Sequence, residues 1–306
     1  MQHFYSHGKL LLTAEYVVLD GANALALPTK FGQTLTVESI EEQKLVWKSL
    51  NHDNEIWFEE ELSLRDGQIS SSISACNNVS KRLIDILNKA KRINPEFLKN
   101  NSGYKVTSKL QFPNDWGLGS SSTLLNNIAQ WAKVDAFTLS NATFGGSGYD
   151  IACAQNDSAI IYQLENSKPI VERTLFKKSF EDELFFIHLN RKQNSRDSIK
   201  TYKDNKSNSQ AIISRINTIT TELIASESID TFNNLIEAHE TLIGEITNQT
   251  PIKKRLFNDF KNQIKSLGGW NGDFVLVTGK KHYINTYFKN KGYNTIVSFK
   301  DMILQN

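Results

Sequence analysis

Cysteine is scarce in this chain. Cys76 and Cys153 are the only two in 306 residues, too few for a disulfide scaffold and without metal-ligand spacing, so reduced thiols are expected. An excess of either charge is also lacking: 35 Lys and Arg face 33 Asp and Glu, a net +2. That balance gives no electrostatic reason to expect nucleic acid or a membrane surface as a partner. No run of about 18 apolar residues occurs, and no basic, apolar, small-residue leader opens the chain, so neither a membrane span nor a signal is expected. A cytoplasmic protein is the simplest expectation. Internal repeats and low-complexity tracts are missing too. What is present is an ordinary globular composition, 39% hydrophobic and 22% charged, in a chain long enough for one large domain or two modest ones.

The first third reads as strands, over 33–38, 45–47 and 55–62. Val79, Leu83, Ile86, Leu87 and Ala90 fall at three- and four-residue steps and predict a helix. Residues 104–110 read as a strand, and Leu124, Leu125, Ile128, Trp131 and Ala132 as the buried face of another helix. A strand at 158–164 precedes Lys168-Pro169, where a first domain (1–168) is expected to give way to a second (169–306). In the second, an apolar strand at 184–189 leads to helices carrying Ile212 to Leu223 and Phe232 to Ile246. Leu256, Phe260, Ile264 and Leu267 predict a third helix, and strands at 274–278 and 294–299 close the chain. His239 and Trp131, on apolar stripes, are expected in the interior. Strands, then helices, then strands without strict alternation indicate an α+β class.

Residues 113–123 concentrate small and flexible groups. Pro113 stops the preceding strand, Gly117 and Gly119 let the backbone bend close to a ligand, and the serines after Leu118 open a helix. The first amides of a helix lack internal partners and carry the positive end of its dipole, which suits a phosphate. The hydroxyls of Ser120, Ser121 and Ser122 add further polar groups. Taken alone, Gly-Leu-Gly-Ser is more simply a turn with a capping serine. It is neither a Walker loop nor a dinucleotide fingerprint.

The loop has company. Pro113-Asn114-Asp115-Trp116-Gly117-Leu118-Gly119-Ser120-Ser121 resembles the second motif of the GHMP kinases, P-x-x-x-G-L-G-S-S. Gly8-Lys9-Leu10-Leu11-Leu12-Thr13-Ala14-Glu15-Tyr16-Val17-Val18 is similar to the first motif, in its G-K-x-x-x-x-G-E-Y-x-V form. Gly146-Ser147-Gly148-Tyr149-Asp150-Ile151-Ala152 resembles the segment with the family's catalytic aspartate, in the wording of a GYDIA-type branch. Residues 265–273 occupy the place of the third motif. The resemblance spans the chain in order. It implies the two-domain GHMP kinase fold, with an N-terminal ribosomal-protein-S5-like ATP-binding domain and a C-terminal ferredoxin-like α/β sandwich.

It also implies a chemistry: ATP and Mg2+ as cofactors, and transfer of the γ-phosphate to a small-molecule acceptor, with mevalonate and phosphomevalonate expected about equally. Asp150 would be the base and Lys9 the fixed cation that offsets developing charge. Residues Pro113, Gly117, Leu118, Gly119, Ser120, Ser121, Ser122 and Thr123 would hold ATP, with Ser121 on the metal. Glu15, expected to orient neighbouring backbone, is placed on the acceptor side with Ser147, Gly148, Lys192, Ser195, Arg196, Gly269 and Trp270. For Lys192, Ser195 and Arg196 an exposed charged loop is an equal alternative. By fold analogy the adenine contacts are sought around 69–78. Neither nucleic acid nor membrane is expected as a partner, and a homodimer is left open.

Three departures stand out. Ala14 replaces a motif glycine, which matters if that residue needs a positive φ. Trp270 and Asn271 replace glycines of the third motif. No glutamate precedes Gly145 to match the second magnesium ligand of mevalonate kinases. A non-catalytic nucleotide-binding regulator and an ATP-dependent diphosphomevalonate decarboxylase are therefore the alternative expectations.

Overall fold

The computed structural model describes all residues except 66–67, 73–76, 100–101, 192–201, 203–209, 271 and 306. The chain divides into two compact units that interleave in sequence. One comprises 1–8, 31–114 and 119–155, the other 9–30, 115–118 and 156–306. Strands β1 (Gln2–Leu11) and β2 (Ala24–Ile40) run through both.

In the first unit β2 pairs antiparallel with β6 (Gly103–Leu110), from Gln33↔Leu110 to Ile40↔Gly103. The sheet continues through β3 (Lys44–Leu50), parallel to β6, then β4 (Ile56–Arg65) and β5 (Gln68–Ser71). Helix α1 (Asn78–Ile93) starts at Asn77, whose side chain accepts from the Val79 and Ser80 amides, and buries Leu83, Ile86, Leu87 and Ala90. It shares a core with α2 (Ser120–Ala132), α3 (Ala136–Thr143) and the sheet, around Trp47, Leu62, Val106 and Leu125. Helix α4 (Tyr149–Gln155) closes the unit.

In the second unit the first residues of β2 pair with β7 (Ile160–Glu165), which pairs with β8 (Lys168–Arg173). The expected boundary after 168 falls at the first residue of β8, just past the hairpin turn at 166–167. A separate antiparallel sheet has the order β10-β11-β9-β12. Its inner strands, β9 (Leu184–His188) and β11 (Phe274–Thr278), are buried at every position, as continuous apolar runs predict. Helices α5 (Gln210–Ala225) and α6 (Ile229–Thr247) pack together, the latter capped by Ser228. The third helix expected over 256–267 does not form. A short α7 (Ile252–Leu256) gives way to β10 (Ile264–Ser266), so Phe260 and Ile264 meet the core from a turn and a strand. Backbone pairing with β11 overrides the helical spacing. Helix α8 (Lys281–Asn290), β12 (Ile296–Ser298) and α9 (Phe299–Met302) complete the chain. The architecture is the α+β, two-domain GHMP kinase fold that the motifs imply. Among the described residues no helix is long and apolar enough to cross a membrane.

Candidate active site

The glycine-rich segment is divided between the units, and each part has its own supports. In the second unit, residues 115–118 are held from several directions. His188 Nε2 lies 3.1 Å from the Asp115 carbonyl, and Trp116 meets Phe274 edge-on at 5.2 Å. The Lys9 amide donates to Leu118 O at 3.0 Å, and Lys9 Nζ donates to Gly117 O at 2.8 Å. Lys9 is thus tied to Gly117 and its neighbour Leu118 through both its side chain and its backbone amide. Gly117 sits at φ 66, and a Cβ there would lie 2.4 Å from the Asp273 carboxyl carbon. Both conformation and the Asp273 side chain disfavour a Cβ here. Gly117→Ala is expected to displace this turn and lower kcat/KM at least about 10-fold. Unchanged steady-state constants would contradict that.

The first unit carries the helix start. Gly119 (φ 89) precedes α2. Ser122 Oγ donates to Gly119 O at 2.8 Å and Thr123 Oγ1 to Gln33 Oε1 at 2.6 Å. These two side chains are buried and committed to the protein. Ser120 and Ser121 instead line a cavity of about 310 Å³, within the range that holds small ligands. Trp47, Phe58, Leu83, Ile86 and Leu110 form its apolar floor, with Asn78 and Asn114 also in the wall. Arg82 is the one charged group among these wall residues; its guanidinium lies 5.2 Å from the Phe144 ring centroid. An aromatic floor suits a planar base, and the adjoining helix start suits phosphates. The exposed hydroxyl of Ser121 is a suitable oxygen donor for Mg2+. Asn78 is the cavity residue from the 69–78 region.

Asp150 lies in the same unit, half-buried in the first turn of α4, where the helix dipole favours a carboxylate. Its Oδ1 accepts from the Ile151 amide at 3.1 Å. Ser147 and Gly148 lead into that helix. Lys192, Ser195 and Arg196 fall outside the described residues.

The third element is buried in the second unit. Residues Thr13 to Val17 form a turn in which Ala14 and Tyr16 adopt φ of 64° and 66°. Ala14 therefore occupies the left-handed region that its motif glycine would reach without strain. Ala14, Glu15 and Tyr16 each have a partner from the C-terminal part of the chain. The Ala14 amide donates to His239 Nε2 at 2.9 Å, Lys265 Nζ donates to the Glu15 carboxylate, and the Trp270 amide donates to Tyr16 Oη at 3.0 Å. Ala14→Gly is expected to stabilise the protein by up to about 1 kcal/mol, as left-handed strain is released against a more flexible unfolded chain. Urea denaturation measures it, and a destabilised variant would show that the strain is absent.

Glu15, Glu240 and His239 place their ligating atoms within 4.8 Å of one another, as a metal site would. Lys265 fills the cation's place: Nζ also donates to Glu240 Oε1 at 3.1 Å and Ser266 O at 2.6 Å. Glu15 is 1% exposed, and burial pushes its carboxyl up to about 7 despite Lys265. Burial holds His239 well below the ordinary histidine range, with Lys265 adding to the effect. Since Nε2 accepts the Ala14 amide, the neutral ring carries its proton on Nδ1. Trp270 is 1% exposed, and its indole N–H has no acceptor among the described residues. Sequence reasoning did not single out Lys265 or Glu240 as a cluster, because neither a charged residue in a three-residue strand nor one in a long helix carries a local signal of its partners.

No family model matches the chain, and no curated protein matches it by sequence. Its fold does match solved structures over nearly its whole length. The Methanococcus jannaschii mevalonate kinase superposes with a TM-score of 0.72 at 14% identity, covering 100% of this chain and 98% of that one. A Streptococcus pneumoniae phosphomevalonate kinase, solved with phosphomevalonate and AMPPNP, gives 0.71 at 15% identity over 98% and 100%. A Lactococcus lactis galactokinase with galactose gives 0.68 at 12%, over 100% and 94%.

Proposed function

We propose that the protein is an ATP-dependent kinase of the GHMP type that phosphorylates mevalonate or phosphomevalonate. The observation that carries this reading is the first unit's cavity, which has an aromatic floor and ends at the exposed amides and hydroxyls of a helix start. The nucleoside occupies the cavity. The α2 amides and the hydroxyls of Ser120 and Ser121 bind phosphate oxygens, and Ser121 supplies an oxygen to Mg2+. When bound, the metal neutralises phosphate charge.

With mevalonate, Asp150 takes the proton of the acceptor hydroxyl as that oxygen attacks the γ-phosphorus and the bond to the β-phosphate oxygen breaks, releasing ADP; with phosphomevalonate the attacking atom is a phosphate oxygen. The first motif assigns Lys9 the offset of developing negative charge. Its hydrogen bond to Gly117 O ties that ammonium to the phosphate loop. The acceptor assignment rests on the Glu15-Tyr16 wording of the first motif and on the mevalonate and phosphomevalonate kinases among the fold neighbours. The test is ADP formation and product mass with mevalonate, phosphomevalonate, diphosphomevalonate, galactose and homoserine. Phosphorylation of either mevalonate compound supports the reading. A protein that binds ATP yet phosphorylates none of the panel would be a nucleotide-binding regulator, and released carbon dioxide would mark a decarboxylase.

A further inference from the structure

A line of buried side-chain hydrogen bonds crosses the first unit, and none of the roles above uses it as a whole. Ser6 Oγ, on β1, donates to Asn127 Oδ1 at 2.7 Å and accepts from Asn126 Nδ2 at 2.9 Å. Asn127 Nδ2 donates to the Gln33 carbonyl on β2 at 2.9 Å. The Gln33 side chain extends the line: its Nε2 donates to Ser108 Oγ on β6, and its Oε1 accepts from Thr123 Oγ1, both at 2.6 Å. At the other end Gln155 Nε2 donates to Asn126 Oδ1 at 3.0 Å.

The two ends are significant. Thr123 lies in the first turn of α2, two residues after Ser121. Gln155 is the last residue of α4, the seven-residue helix whose second residue is Asp150. A helix as short as α4 has little stability of its own. Ile151 and Ala152 are buried against the unit, and apolar contact is non-directional. Asn126 and Asn127, 1% and 0% exposed, would be costly in this interior if unpaired. Paired as they are, they fix donor and acceptor directions at each link and so define one register.

We infer that Asn126 and Gln155 are positioning residues for Asp150, setting its helix against the phosphate-binding turn of α2. The assignment rests on the kinase reading and adds the device that fixes the distance between its base and its phosphate loop. Gln155 is exposed on its outer side, so substitutions there leave the core intact.

The experiment compares Gln155→Ala, Gln155→Glu and Gln155→Lys in steady-state kinetics and thermal melting. Alanine removes the donor, glutamate replaces it with an acceptor of the same length, and lysine restores a donor. The first two are expected to lower kcat roughly 10-fold, as a small misplacement of a reacting group does, with KM for ATP within about twofold. Lysine is expected to keep near-native kcat. Wild-type kcat in the alanine variant overturns the inference, as does an equal loss in all three variants. A wild-type protein without kinase turnover sinks the kinase reading instead. Amide hydrogen exchange then decides: alanine and glutamate, but not lysine, must speed exchange over 152–155 about 10-fold. Unchanged exchange overturns the inference.

Discussion

Asp150→Asn is expected to lower kcat by about 10² or more while ATP affinity stays within about twofold. The asparagine is nearly isosteric, and the lost feature is the ability to accept a proton. Asp150 sits in the first turn of α4, where its Oδ1 also accepts the Ile151 amide. An asparagine oxygen can accept that same bond, so the helix start survives the change. The cavity that would hold the nucleoside contains no atom of Asp150 in its wall, which is why binding and turnover should separate. Isothermal titration with a non-hydrolysable nucleotide, set beside kcat on the active acceptor, measures both. A variant with kcat within threefold of wild type would remove Asp150 from the mechanism.

Much of this arrangement is legible in the sequence, and the illegible parts have a common cause. Gly117 and Gly119 stand out only in the company of the other motifs, since Gly-Leu-Gly-Ser alone reads as a turn with a capping serine; their positive φ and the Lys9 Nζ bond to Gly117 O emerge from the fold. The inner strands β9 and β11 are readable as short apolar runs. The region 256–267 is not, since apolar spacing of three and four suits both a helix and a turn followed by a strand. What decides is the pairing of 264–266 with Val275, Leu276 and Val277, a contact invisible to local pattern. Asn126 and Asn127 pose the same difficulty. Two adjacent amides in a helix read as a solvent face, yet their partners Ser6 and Gln33 lie about a hundred residues away in sequence. Glu15 is the sharpest case. Its motif marks it as important, but only the fold shows that its partner is Lys265, 250 residues later.

Lys265→Met is expected to cost the protein about 3–5 kcal/mol, the usual penalty for removing one partner of a buried ion pair. Lys265 is fully buried, and among the described residues its ammonium is the single cation paired with Glu15 and Glu240, with neutral His239 alongside. Loss of the ammonium leaves two interior carboxylates that must take up protons or remain unpaired. The pH dependence gives the effect a signature. In the native protein burial raises the Glu15 carboxyl to about 7, against an ordinary glutamate value of 4.5. Between those values the folded state binds more protons than the unfolded one, so this group's contribution to stability falls as pH rises from about 4.5 to 7. Methionine removes the ammonium that lowers the Glu15 and Glu240 values, which extends the window upward. The variant's loss of stability should therefore be larger at pH 8 than at pH 5, as read by urea denaturation at each pH. Adding Glu15→Gln to the variant should recover part of the loss, because an amide carries no charge to desolvate. A cost below about 1 kcal/mol at pH 8, or one that is the same at both pH values, would mean that Lys265 does not neutralise these carboxylates. The strained turn that it helps hold follows directly on the strand bearing Lys9, so weaker anchoring there should also appear as a lower kcat.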